Sequence, residues 1–169
     1  YLNDFCNYLL KHTDDLHHVI AANEGNAIAI AAGYYFASGE LPLVYMQNSG
    51  LGNAVNPLVS LTDTNVYAVP MILLIGWRGQ PGKKDWPQHQ RQGAVTTAFL
   101  EQMRIPYQVA AGSEGEFRDI VLWAATKALG SRQAVAIVVP NGVLSGNKVL
   151  EQDKRQLMSR DEAIETVLD

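Results

Sequence analysis

Three short stretches of this chain carry residue types that could do chemistry. The first is Ala22-Asn23-Glu24-Gly25-Asn26, directly ahead of an alanine-rich run. A carboxylate opening a helix complements the helix dipole, which is its commonplace role. In a dry cleft the same carboxyl can hold or share a proton with a ring nitrogen, because desolvation raises its pKa. The second is Gln47-Asn48-Ser49-Gly50-Leu51-Gly52-Asn53, neutral amides interleaved with glycines. Glycine permits close backbone approach to a ligand and the amides supply hydrogen bonds, although a helix-capping turn uses the same residues. The third, residues 77–91, holds two Arg, two Lys and one Asp in an otherwise acidic chain. A guanidinium such as that of Arg78 is the best fork for a carboxylate or phosphonate. Lys84 is a second candidate cation, and Lys83 reads as solvated surface. His89 could act as proton donor or anion ligand, or simply hydrogen-bond to backbone.

These stretches need a scaffold, and the pattern around them alternates strand and helix. Apolar runs of strand length occur at residues 17–21, 41–46, 70–77, 106–110 and 134–139. Between them lie a helix with Leu2, Phe5, Tyr8 and Leu9 on one face, and an alanine-rich helix capped by Asn23 that stops near Gly39. A further helix is expected over residues 54–65, which keeps Pro57 near the first turn, where proline is tolerated. Helices ending near Met103 and spanning 114–129 follow, with a short one at 159–168 capped by Ser159. Strands separated by helices predict an α/β fold, a parallel sheet with helices on both faces. Ligands in such sheets sit at the carboxyl ends of strands. All three stretches are expected there.

Composition narrows the classes. A length of 169 residues fits one domain, and a net charge of -4 gives no case for nucleic acid or an anionic membrane. No apolar run approaches the ~20 residues of a membrane span. The lone Cys6 excludes an intramolecular disulfide and fits a cytoplasmic location. Gly50-Leu51-Gly52-Asn53-Ala54-Val55 has Val55 where a dinucleotide fingerprint needs its third glycine, so that reading is set aside. Tyr1 opens within a helix, so a missing N-terminal segment, including a first strand, is expected, with more chain beyond Asp169.

The string Asn23-Glu24-Gly25-Asn26-Ala27 followed by Ala31-Ala32-Gly33-Tyr34 resembles the glutamate-bearing junction of the pyrimidine-binding (PYR) domain in thiamine-diphosphate-dependent decarboxylases. The runs from Met46 to Leu58 and from Trp77 to His89 resemble those of phosphonopyruvate decarboxylases. The resemblance implies that Glu24 hydrogen-bonds the cofactor's aminopyrimidine and promotes proton removal from its thiazolium ring. Gln47, Gly50 and Asn53 would line the cofactor cleft. Asn48, Arg78 and Lys84 would meet a substrate with about three negative charges, 3-phosphonopyruvate, and His89 would be the second catalytic group.

The same resemblance implies thiamine diphosphate anchored through Mg²⁺ by a PP domain, whose Gly-Asp-Gly motif this chain lacks. Residues 1–143 would form the PYR domain and 144–169 a linker toward that partner, within a homo-oligomer. The alternatives are a sulfopyruvate decarboxylase α-subunit and a non-catalytic PYR-like module for dimerisation or regulation.

Overall fold

A computed structural model describes residues 1–13 and 17–144. Its frame is four parallel strands, β1 (Leu43–Gln47), β2 (Met71–Gly76), β3 (Tyr107–Val109) and β4 (Ala134–Val139), in the order β1-β2-β4-β3. Five helices surround them: α1 (Asn3–His12), α2 (Glu24–Ser38), α3 (Leu51–Leu61), α4 (Pro87–Gln102) and α5 (Glu114–Ser131). After β2 the chain crosses through α4 to the far-edge strand β3, and α5 returns it so that β4 inserts between them.

β2 and β4 explain the architecture. Met71-Ile72-Leu73-Leu74-Ile75 and Ala134-Val135-Ala136-Ile137-Val138-Val139 are apolar without alternation, and every position is buried. Strands of this kind need cover on both faces. Leu73, Ile75, Ala136 and Val138 pack beneath α2, α3 and α4, through Ile28, Leu58 and Leu100 among others. Leu74, Val135 and Ile137 face the opposite way, against Ile120, Ala124 and Ala128 of α5, with Phe5 and Cys6 of α1 packed alongside. Each fully buried Leu, Ile or Val side chain contributes roughly 1.5–3 kcal/mol. The expected parallel sheet with helices on both faces is the fold observed.

Two elements differ from expectation. Residues 17–21 form no strand: their apolar character suited one, but they join no strand of the sheet, His18 meets the Tyr45 hydroxyl at 2.7 Å through its side chain, and Val19 and Ile20 stay exposed. The sheet therefore has four strands among the described residues. The helix expected over residues 54–65 starts earlier, at Leu51, behind a 3₁₀ turn over Asn48–Gly50, and it ends at Leu61. Pro57 therefore sits in mid-helix, where it removes the N–H that would bond the Asn53 carbonyl. That oxygen has another neighbour: a Cβ on Gly25 would lie 2.9 Å from it, so α2 and α3 pack backbone to backbone. The helix expected at 159–168, and the proposed linker beyond Leu144, lie outside the described residues.

Candidate functional site

The carboxyl ends of β1 and β2 lie side by side, Gln47 in register with Gly76, and the candidate residues gather around them. Asn23 accepts a hydrogen bond from the Asn26 backbone N–H at 2.9 Å, which starts α2 and sets Glu24 in its first turn. Glu24 is half-buried. Its Oε2 accepts from Asn53 Nδ2 at 2.9 Å, across from α2 to α3. Its side chain lies on the bare backbone of Gly50, where a Cβ would come within 2.4 Å of Glu24 Cγ and 2.5 Å of Oε1. Any larger residue at 50 would evict the carboxylate. Glu24 and Asn53 also line a cleft of about 890 Å³ walled by apolar groups including Ala27, Ile30, Ala31 and Met46.

The turn after β1 splits its residues between two directions. Gln47 is half-buried, and its Oε1 accepts from Ser49 Oγ at 3.0 Å. Asn48 points inward and is 0% exposed. Its Nδ2 donates to the Arg78 carbonyl at 2.8 Å and to Thr96 Oγ1 at 2.8 Å, and its Oδ1 accepts from the Arg78 backbone N–H at 3.0 Å. Both amide hydrogens are thus engaged within the protein. Asn48 ties the ends of β1 and β2 to α4, and the free donor expected for a substrate is not there.

Arg78 leaves β2 at its carboxyl end, and its fork is met from within the chain. Nε donates to Asp85 Oδ2 at 2.9 Å and Nη2 to Oδ1 at 2.6 Å, a bidentate ion pair. Asp85 also accepts from the N–H groups of Gly79 and Trp86 and from the Tyr1 hydroxyl, each at 2.8 Å. The Tyr1 ring lies against the guanidinium, 5.2 Å from its centroid. Arg78 beside it, reinforced by the two backbone donors, holds the Asp85 carboxyl far below the ordinary carboxylate range against the opposing pull of burial. The same pairing pushes Arg78 up.

Gly79, in the left-handed region at φ +66°, lets the chain turn so close to α4 that a Cβ there would meet the His89 carbonyl at 1.8 Å. His89 is half-buried in the first turn of α4, behind Pro87 at the helix start. Lys84 is exposed on the loop. Glu24, Gly50 and Asn53 thus form one contacting set. Asn48 and Arg78 form another, joined to the first through the 47–53 turn. Asp85, Thr96 and Gln92, whose Nε2 donates to the Asn48 carbonyl at 3.2 Å, were not singled out in the sequence. For Asp85 a signal existed: an acid seven residues after Arg78, with Gly79, Pro81 and Gly82 between them to fold the loop back.

A half-buried carboxylate, pinned by a neighbouring amide and facing an apolar cleft, suits a heteroaromatic ring nitrogen. It does not suit a metal-bound diphosphate. No group of three or more His, Cys, Asp or Glu able to hold a metal occurs among the described residues, and none of their helices is long and apolar enough to cross a membrane.

Comparison with known proteins agrees with that chemistry. Residues 1–102 match the family described as thiamine pyrophosphate enzyme, N-terminal TPP binding domain. The chain is 33% identical over 140 residues to a phosphonopyruvate decarboxylase of Streptomyces viridochromogenes, covering 82% of this chain and 34% of that protein. It is 32% identical over 148 residues to one of Streptomyces hygroscopicus, covering 85% and 35%. It is 35% identical over 106 residues to the sulfopyruvate decarboxylase subunit alpha of Methanococcus maripaludis, covering 63% and 60%. The chain spans about a third of the length of the phosphonopyruvate decarboxylases it matches. It belongs to the family of N-terminal thiamine-pyrophosphate-binding domains, and its relatives are decarboxylases.

Proposed function

We propose that this domain is the pyrimidine-binding half of a thiamine-diphosphate-dependent decarboxylase that converts 3-phosphonopyruvate to phosphonoacetaldehyde and CO₂. The observation that carries this reading is the Glu24 carboxylate, fixed by Asn53 Nδ2 and seated on Gly50 beside an apolar cleft. Thiamine diphosphate, when bound, supplies the electron sink that decarboxylation of a 2-oxo acid requires. Glu24 holds a proton at the ring nitrogen presented to it, and Asn53 keeps the carboxylate from rotating away. The apolar wall of Ala27, Ile30 and Ala31 limits water around that proton. Gln47 supports the neighbouring turn.

Arg78 and Lys84 meet the substrate's anionic groups, and His89 offers a proton on the same side of the sheet. Asn48 acts by fixing the backbone of Arg78. Mg²⁺ and the diphosphate fall to a PP domain on the same or another chain. A homo-oligomer fits the apolar surface that α2 leaves exposed away from the cleft, at Phe36. The phosphonate reading rests on the greater share of the chain that the phosphonopyruvate decarboxylases cover and on the extra positive charge of the basic loop. A sulfopyruvate decarboxylase α-subunit is the second reading, favoured by relatives that are separate subunits.

The test combines the chain with its PP half, thiamine diphosphate and Mg²⁺, and follows CO₂ release from both oxo acids. Phosphonopyruvate should have the higher kcat/KM, and Glu24→Gln should reduce kcat by roughly 10²–10⁴-fold, the range for loss of a general acid–base group. A fully active Glu24→Gln enzyme would refute the mechanism. Preference for sulfopyruvate would move the substrate and leave the mechanism standing.

A further inference from the structure

Arg78 is read above as a ligand for the substrate's anion, yet its two best-placed donors already face a carboxylate of the same chain. Five N–H groups radiate from a guanidinium in a fixed plane. Asp85 takes Nε–H and one hydrogen of Nη2, the edge nearest the backbone. Asp85 therefore takes only part of the fork, Tyr1 lies against the guanidinium as well, and Arg78 keeps 22% of its side-chain surface exposed. The side chain of Asp85 is only 5% exposed. Its two oxygens accept five hydrogen bonds, from Arg78 twice, Gly79, Trp86 and Tyr1. A carboxylate so enclosed has neither the room nor the free lone pairs to reach a substrate. It also sits where the chain must reverse, since Gly79 and Trp86 are the residues at either end of the loop that it draws together.

We infer that Asp85 is a positioning residue: it clamps one edge of the Arg78 guanidinium and closes the 79–86 loop, so that the opposite edge is presented, already oriented, to an anionic substrate. A flexible arginine would have to be immobilised when substrate binds, and the clamp removes that cost beforehand. The clamp also lowers the net charge of the site. The opposite effect, Asp85 weakening anion binding by neutralising Arg78, is therefore the rival physical outcome, with the opposite sign in KM.

This inference rests on the reading of Arg78 as an anion ligand, and the experiment separates the two. In the assembled enzyme with thiamine diphosphate, Mg²⁺ and the better of the two oxo acids, Arg78→Ala and Asp85→Asn are compared with wild type. Both variants should raise KM about tenfold or more, and Asp85→Asn should keep kcat within about twofold, the pattern of lost binding without lost chemistry. Asp85→Glu, which keeps the charge on a longer stem, should fall between wild type and Asp85→Asn. Should Asp85→Asn fail to fold, Asp85→Glu alone decides, with KM raised several-fold and kcat kept. If Arg78→Ala leaves KM unchanged, the reading of Arg78 fails and the inference falls with it. If Arg78→Ala raises KM while the Asp85 variants leave it unchanged or lower it, the clamp alone is overturned.

Discussion

Asn48 has no titratable group, and its side chain joins β1, β2 and α4. Deleting the amide in Asn48→Ala leaves the Arg78 carbonyl without the side-chain donor it accepts from, and takes one of two partners from the Arg78 N–H and the Thr96 hydroxyl, which keep the carbonyls of Gly76 and Gln92. An unpaired buried polar group costs about 1–3 kcal/mol. The variant should therefore lose about 3 kcal/mol of stability in urea denaturation, and a loss under about 0.5 kcal/mol would show that water replaces the amide freely. At this scale the sequence was most legible where local chemistry decides. Asn23 caps α2 as its position before an alanine-rich run predicts, and Glu24, Gly50 and Asn53 converge because both helices begin at the same end of the sheet. It was least legible where a side chain faces backward. Whether Asn48 looks out toward ligand or in toward Thr96 depends on the 3₁₀ turn at Asn48–Gly50, and residue type alone does not specify that turn.

The basic loop is an element in its own right, and glycines fasten it to α4. A Cβ on Gly93 would lie 1.8 Å from the Gly79 carbonyl oxygen and 2.6 Å from that of Arg78, all backbone atoms with nowhere to go. The Trp77 indole N–H donates to the Gly93 carbonyl at 2.9 Å, closing the same contact from the strand side. Gly93→Ala should push the loop from the helix, lowering stability by about 1–3 kcal/mol, as overpacking does. It should also speed hydrogen exchange at the Arg78 and Gly79 amides. Gly115→Ala is the control: it also sits within a helix, α5, but in open space, and alanine there should be neutral or stabilising by up to about 1 kcal/mol. Equal losses for both would mean that the close approach is not what holds the loop. Element boundaries were legible where the pattern was long, as in β4, which spans the expected residues. They failed at residues 17–21 and at α3. A strand exists only if another strand accepts its hydrogen bonds, and a helix can carry proline inside it where tertiary packing outweighs the lost hydrogen bond, as the close backbone packing of α3 on Gly25 of α2 does here. Both conditions are tertiary.

For the whole molecule, the clamp at Asp85 makes a statement about acid stability. The chain is acidic, with a net charge of -4 at neutral pH. Pairing with Arg78, helped by the backbone donors of Gly79 and Trp86, holds the folded-state pKa of Asp85 far below the value of about 3.9 typical of an unfolded chain. A group depressed in the folded state contributes stability above its unfolded pKa and loses that contribution as pH falls toward its folded value. At neutral pH both states are ionised, so the contribution is complete and flat. Below about pH 4 the unfolded chain takes up a proton that the folded chain refuses, and stability declines with a slope of one proton from this residue. The measurement is urea unfolding of wild type and Asp85→Asn from pH 7 to pH 2.5. The difference in stability between them should stay constant down to about pH 4 and then shrink steadily, because asparagine has no proton to gain. A difference that stayed constant to pH 2.5 would mean that folding leaves the pKa of Asp85 where it is in the unfolded chain, and the charge-assisted clamp on Arg78 would be refuted.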